Sequence, residues 1–367
     1  MKTAHKTLRS SQIDNVEQLF DYLMIEDTAL LAPASRLHEA AEALGCGAHA
    51  DLLRMDICHR LRLGQDAAFA SSSHPAKAYG TLLEAAAECL EKQRRLPLER
   101  DSAAAREESL FEATTKHYGS LWGDFSPAHY YEEAFELLST RLRRNGIDLD
   151  WFKGKRALDC GCGGGRYTVA LKKLGLAEVV GCDGSSEAIA VARQRAAGTA
   201  GVSYVATDVL KLPFKDGEFD LVFSNGVLHH TEDTARGLAE LARVMKPAGR
   251  AWIYLYARPG GLDRLTHYLA RLLLRSADRH ACQSYCRSLG LPGHRIFFLL
   301  DLWLTPVAEC YTPEETEAML SQEWRTFRRL ERGSDQDLVE AIHGRQPHAR
   351  AKFGVGENRY WAEGRKS

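Results

Sequence analysis

Apolar residues recur at helical intervals through the first hundred positions, as in Val16, Leu19, Phe20 and Leu23, and again in Leu82, Leu83, Ala86 and Leu90. No run of strand type occurs there, so the pattern predicts helices alone. Ser71-Ser72-Ser73-His74-Pro75 breaks them, and Pro97 with the charged stretch to Glu108 reads as a linker. A further amphipathic helix is expected from about Tyr130 to Arg144.

From Arg156 the pattern changes to short apolar runs alternating with helical segments. Strands are predicted at 156–159, 178–183, 202–206, 219–224 and 249–256. Helices are predicted over 166–174, from Ser185 or Ser186 to Arg195, and from about Asp233 to Met245. Such strands suit a parallel sheet covered on both faces. Right-handed crossovers place their C-terminal ends on one edge, and ligands bind at that edge. Later, Tyr311-Thr312-Pro313-Glu314-Glu315-Thr316 is a helix start with a Thr cap, Pro at the first helical position and acids in the first turn. Strands six and seven are expected at 324–331 and 358–362, with Phe353-Gly354-Val355-Gly356-Glu357 as their turn.

Candidate chemistry collects at the strand ends. Ala157-Leu158-Asp159-Cys160-Gly161-Cys162-Gly163-Gly164-Gly165-Arg166 is a strand that stops at a carboxylate and turns through glycines into a helix. Without Cβ atoms in the way, backbone N–H groups there can approach a ligand closely. A dinucleotide G-x-G-x-x-G fingerprint starting at Gly161 needs a third glycine at position 166, which is Arg166. Asp183 ends the second strand, where an acid can accept from both ribose hydroxyls. Thr207-Asp208-Val209 follows the third strand and Leu212-Pro213-Phe214 comes next. The fourth strand runs out through Asn225-Gly226-Val227-Leu228-His229-His230, and Val244-Met245-Lys246-Pro247-Ala248-Gly249 precedes the fifth.

In this order the motifs resemble those of the class I S-adenosylmethionine (SAM) dependent methyltransferases, in particular the methyltransferase type 11 group, which includes quinone-biosynthesis C-methyltransferases. The resemblance covers roughly residues 115–256. It implies an α/β, Rossmann-like class I methyltransferase fold: a seven-stranded, mostly parallel sheet with helices on both faces, one of the last strands being antiparallel. It implies SAM as cofactor, with Asp159 and the backbone of Gly161, Cys162 and Gly163 through Gly165 holding the methionine part. Asp183, followed by Gly184, would hold the ribose; Asp208, beside Val209, would meet the adenine amino group; Asn225 and Gly226 through Leu228 would lie under the sulfonium. The segment before the sheet often folds over the cofactor in such enzymes, which makes Tyr118 a candidate for lining the site. Gly184 and Ala248 depart from the family's usual residues, and neither removes a needed side chain. His229 and His230 are candidate general bases; the pair is often structural in this group, and methyl transfer depends more on alignment than on protein acid chemistry.

Composition narrows the rest. The chain has 367 residues, 45% hydrophobic, with a formal net charge of -1, which disfavours a nucleic-acid substrate. Nine cysteines and no secretory start favour reduced thiols and a cytoplasmic location. Cys160, Cys162 and Cys182 read as small buried residues, and no metal site is expected. No apolar run reaches membrane-spanning length. His267, Arg271, Arg275 and Arg279 recur every four residues, a basic helix over 264–280 that either contacts a membrane surface or an acidic substrate or, the favoured reading, is a solvated face.

The expected organisation is a helical N-terminal domain at 1–105 and a methyltransferase domain at 106–367 that carries a helical lid insertion at 257–306. The expected function is a SAM-dependent methyltransferase acting on a small or medium-sized organic acceptor, in secondary-metabolite or cofactor biosynthesis, with O-, N- or C-methylation and the oligomeric state open. The alternatives are a SAM-binding scaffold that recruits a partner through its N-terminal helices, and a NAD-type oxidoreductase, which Arg166 argues against.

Overall fold

The apolar runs after residue 155 form strands β1 (Arg156–Cys160), β2 (Glu178–Asp183), β3 (Val202–Ala206), β4 (Phe219–Asn225) and β5 (Met245–Ala257) in the computed structural model. It describes residues 9–45, 47–71, 73–93, 112, 114–116, 127–331 and 348–366. A two-residue strand β6 (Cys310–Tyr311) pairs with β5 off the main path, and β7 (Trp324–Arg329) and β8 (Asn358–Arg365) complete the sheet. The order is β3-β2-β1-β4-β5-β8-β7. The first five pair in parallel, and β8 is antiparallel to both β5 and β7. This is the seven-stranded, mostly parallel arrangement expected, with a short eighth strand added.

Alternation along each strand supplies two cores. One face sets Leu158, Val180, Val222 and Ile253 against Leu238 and Leu241 of a helix at Thr234–Val244. The other sets Ala157, Val179, Leu221 and Trp252 against Leu138 and Leu142 of a helix at Pro127–Arg144 and Leu171 of a helix at Arg166–Lys173. Period-two alternation of the side chains makes this division.

In chain order the helices are α1 (Val16–Leu23), α2 (Leu31–Glu42), α3 (Ala48–Ser71), α4 (Pro75–Gln93), α5 (Pro127–Arg144), α6 (Arg166–Lys173), α7 (Ser186–Arg195), α8 (Thr234–Val244), α9 (Gly261–Leu273), α10 (Arg279–Ser288), α11 (Gly293–Leu304), α12 (Pro313–Glu323) and α13 (Ala349–Phe353). Ser185 caps α7 through Ala188 N. Thr312 and Glu315 close a reciprocal capping box on α12.

Two compact units divide the described residues, and the division differs from the sequence reading at two segments, Arg258–Thr305 and His343–Gly356. The sheet unit takes those of Glu108–Ala257, Pro306–Ile342 and Glu357–Ser367; the helical unit takes those of Met1–Glu107, Arg258–Thr305 and His343–Gly356. The segment expected to be a lid on the methyltransferase domain thus clusters with the N-terminal helices. α9 packs against α1, α2 and α3, and α10 against α3. Tyr79 and Thr266 share a hydrogen bond of 2.7 Å, and Arg258 Nη1 donates to the Tyr22 carbonyl at 3.0 Å.

Two further expectations are corrected. The basic helix over 264–280 is two helices, because Asp278 caps a new start at α10 through Ala281 N. His267 is buried, where Trp303 Nε1 donates to its Nδ1 at 3.1 Å, and Arg275 pairs with Asp14 at 2.6 Å, so the four positions do not form one basic stripe. Of the turn expected at 353–357, Phe353 ends α13 and the turn follows it, with Gly356 N donating to the Phe353 carbonyl and Val355 N to the Pro259 carbonyl. No helix among the described residues is long and apolar enough to cross a membrane.

Candidate functional site

At the C-terminal edge of β1 and β2 the glycine turn is tied down by backbone bonds. Gly161 N and Cys162 N both donate to the Cys182 carbonyl, at 2.7 and 2.8 Å. Gly161 has φ +76°, and a Cβ there would stand 2.3 Å from both Val227 methyls, so the β1 turn and the segment after β4 fit only around a glycine. Gly165 forms the N-cap of α6 in the left-handed conformation and offers no side-chain cap. The first N–H groups of α6 are therefore left for a ligand, the arrangement that favours a carboxylate or phosphate.

Asp183 sits at the end of β2, half-buried. Its Oδ2 accepts from Gly163 N and its Oδ1 from Ser185 N, both at 2.9 Å. A carboxylate has about four acceptor positions, so two backbone donors fix its orientation and leave capacity on each oxygen for ribose hydroxyls. Burial raises its pKa, and the two backbone donors oppose that shift.

Asp159 lies under the turn rather than on it. It is 2% exposed, and Thr168 Oγ1 donates to its Oδ2 at 2.6 Å. Burial lifts its carboxyl to about 7, against the Thr168 hydrogen bond, with the nearby Asp183 charge adding to the rise. Cys160 and Cys162 are buried thiols whose pKa values are pushed well up, by the Cys160–Cys182 contact and burial for the first and by burial for the second. Among the described residues no cluster of three metal-ligating side chains occurs.

Asp208 follows β3 and its Oδ1 accepts from Leu210 N at 2.8 Å in a local turn; Val209 beside it is buried. Asn225 ends β4, and Trp252 Nε1 donates to its Oδ1 at 3.0 Å. Gly226 continues at φ +83°, its N donating to the Tyr254 carbonyl. His229 and His230 are both buried: His229 lies 3.8 Å from the Tyr256 ring centroid, and His230 Nδ1 is 2.6 Å from the Val307 carbonyl. Gly184 follows Asp183 in the same turn. Tyr118 lies outside the described residues.

The edge therefore gathers Asp183, the glycine turn, Asp208 and Asn225 from four successive strand ends. The set suits SAM in its chemistry: an uncapped helix start is a place for a carboxylate, and the acids at two successive strand ends are acceptors for hydroxyl and amino groups. The family profile described as "Methyltransferase domain" matches residues 158–253. Residues 158–253 are a class I SAM-dependent methyltransferase domain. SAM is the cofactor of that domain.

The methyltransferase domain is similar to curated relatives over about this same stretch. It is 31% identical over 145 residues to "Probable tRNA methyltransferase 9B" of Bos taurus, covering 39% of this chain and 30% of that protein. It is 38% identical over 135 residues to demethylmenaquinone methyltransferase of Corynebacterium kroppenstedtii, covering 34% of this chain and 56% of that protein. The chain thus spans between about a third and about half the length of these relatives. Among solved structures, a SAM dependent methyltransferase from Aquifex aeolicus aligns at TM-score 0.39 and 18% identity, over 68% of this chain and 97% of that one.

Sequence reasoning missed a group on the far side of the methyltransferase domain's edge. Arg359 on β8 is 3% exposed, with its Nη2 2.8 Å from Glu357 Oε2 and its guanidinium 4.6 Å from the Tyr254 ring centroid and 5.6 Å from that of Trp252. A charged residue directly before the aromatic pair Tyr360-Trp361 of an expected strand was the available signal.

Proposed function

We propose that this protein is a SAM-dependent methyltransferase whose acceptor is a small or medium-sized organic molecule. The observation that carries the reading is the Asp183 carboxylate, oriented by Gly163 N and Ser185 N beside an uncapped helix start. The α6 N-terminus would hold the carboxylate of SAM, Asp183 its ribose hydroxyls and Asp208 its adenine amino group. SAM, when bound, supplies a methyl group made electrophilic by the sulfonium. The chain's own part is alignment: Asn225, held by Trp252, and Gly226 border the place where an acceptor would approach in line.

We assign His229 and His230 to shaping the segment after β4 rather than to proton transfer. Their burial and the His230 contact with the Val307 carbonyl support this. A His229→Asn/His230→Asn variant that keeps its fold and loses turnover with a pH-dependent rate would reverse the assignment.

The activity is tested by incubating the full chain and radiolabelled SAM with fractionated metabolites and with total RNA. Label in a small-molecule fraction, abolished by Asp183→Ala, supports the reading. Label confined to RNA would replace the small acceptor by a nucleic acid, the substrate class in the name of one set of relatives. No binding of SAM or S-adenosylhomocysteine by calorimetry would remove the methyltransferase reading altogether.

A further inference from the structure

The sheet register places three side chains in one row at the ligand edge. Asn225 of β4 pairs with Tyr254 of β5, and Tyr254 pairs with Arg359 of β8. Directly paired residues point to the same face, and adjacent strands stand about 4.8 Å apart. Arg359 therefore lies roughly 10 Å across the sheet from Asn225, on its face and at its level. That is the span of one aromatic ring with a substituent.

A buried guanidinium is costly unless its five N–H groups are used. Here Nη2 forms an ion pair of 2.8 Å with Glu357 Oε2, and the aromatic rings of Tyr254 and Trp252 lie against the guanidinium. Arg359 Nε and Nη1 have no hydrogen-bond partner among the described residues. Tyr254 OH reaches Glu357 Oε1 at 3.4 Å, and the Glu357 carbonyl accepts from Arg329 Nε and Nη2, so the counter-ion is itself held in place. Burial lowers its pKa, the Glu357 carboxylate opposes that shift, and the like charge of Arg141 adds to it. The group is rigid, poorly hydrated and short of acceptors, and that is the state of a guanidinium waiting for an anion.

We infer that Arg359 is a specificity residue for the acceptor and that the acceptor carries a carboxylate or comparable oxyanion, which docks on Arg359 while its methylatable atom lies toward Asn225. The inference rests on the methyltransferase reading above and deepens it by naming the acceptor class. The oxyanion supplies the acceptors that Nε and Nη1 lack.

The test uses the full chain saturated with S-adenosylhomocysteine, titrated with benzoate and phenyl phosphate, and with benzamide and methyl benzoate as neutral matches. The expected result is binding of the anions and not of the neutral compounds, weakened at least about ten-fold in Arg359→Gln and less in Arg359→Lys, with S-adenosylhomocysteine affinity within about two-fold of the parent. Because Arg359→Gln leaves Glu357 buried without its counter-ion, the Arg359→Gln/Glu357→Gln variant is measured beside it; retained cofactor binding certifies the fold of both. Neutral probes binding as well as anions, no anion binding to the parent, or anion binding indifferent to both Arg359→Gln variants would each overturn the inference. Loss of S-adenosylhomocysteine binding by the parent chain would instead overturn the methyltransferase reading.

Discussion

Replacing Asp159 by Asn should make the cofactor-free protein more stable, and only above mildly acidic pH. The carboxyl is buried with one donor, Thr168, and its pKa is about 7. In an unfolded chain the same group titrates near ~3.9. Below about pH 4 it is neutral in both states and burial costs little. Between about 4 and 7 the unfolded chain gives up the proton while the folded one keeps it, so native stability falls as pH rises. Above 7 both are ionised and the full cost is present. A difference of about three pKa units at about 1.4 kcal/mol each sets a ceiling of roughly 4 kcal/mol. Asn stays neutral and its Oδ1 still accepts from Thr168. The stability difference between Asp159→Asn and parent should therefore start near zero at about pH 4 and reach a plateau above pH 7. Urea denaturation of the full chain, read by tryptophan fluorescence across that range, measures it. A difference that does not change with pH, or a variant weaker throughout, would refute the argument. A second reading comes from calorimetry with S-adenosylhomocysteine: if Asp159 meets the ammonium of the methionine part, parent affinity rises through pH 7 and that of Asp159→Asn does not.

Gly161→Ala should cost about 2–4 kcal/mol, from a left-handed backbone and a Cβ driven into Val227, and adding Val227→Ala should recover the overlap but not the backbone strain; thermal unfolding of the three variants checks this. Asp183→Asn has one acceptor oxygen for two backbone donors and for the ribose, so calorimetry should show at least about ten-fold weaker S-adenosylhomocysteine binding. Thr312→Ala should lose the capping box of α12 and about 1 kcal/mol of stability, with cofactor affinity unchanged.

The strands of the parallel sheet were legible because continuous apolar runs ending in Gly, Asp or Asn leave little choice of structure. β2 and β3 lie where the pattern puts them, and Asp183 and Asp208 emerge at the edge because both follow directly on such runs. β5 begins four residues earlier than its apolar run suggests, since Met245 pairs with Phe219 before a register shift carries the ladder on to Arg250. β6 is too short for any periodicity to show. The departure of Arg258–Thr305 into the helical unit is a tertiary preference of apolar helix faces, and amphipathicity states that a face is buried without stating against what. Arg359 was hidden because its meaning lies in register with Tyr254 and Asn225, which are more than a hundred residues away in sequence.

The helical unit is drawn from three separated stretches of chain. On a ribosome, α1 to α4 are complete by Gln93, while α9, which packs against three of them, begins only at Gly261. At about 5–20 residues per second that interval lasts roughly ten to thirty seconds, during which β1 to β5 are synthesised and the early helices carry apolar faces with no permanent cover. Vectorial synthesis thus leaves α1 to α3 waiting longest for their partner, and a fragment ending near residue 105 would preserve that unfinished state instead of a domain.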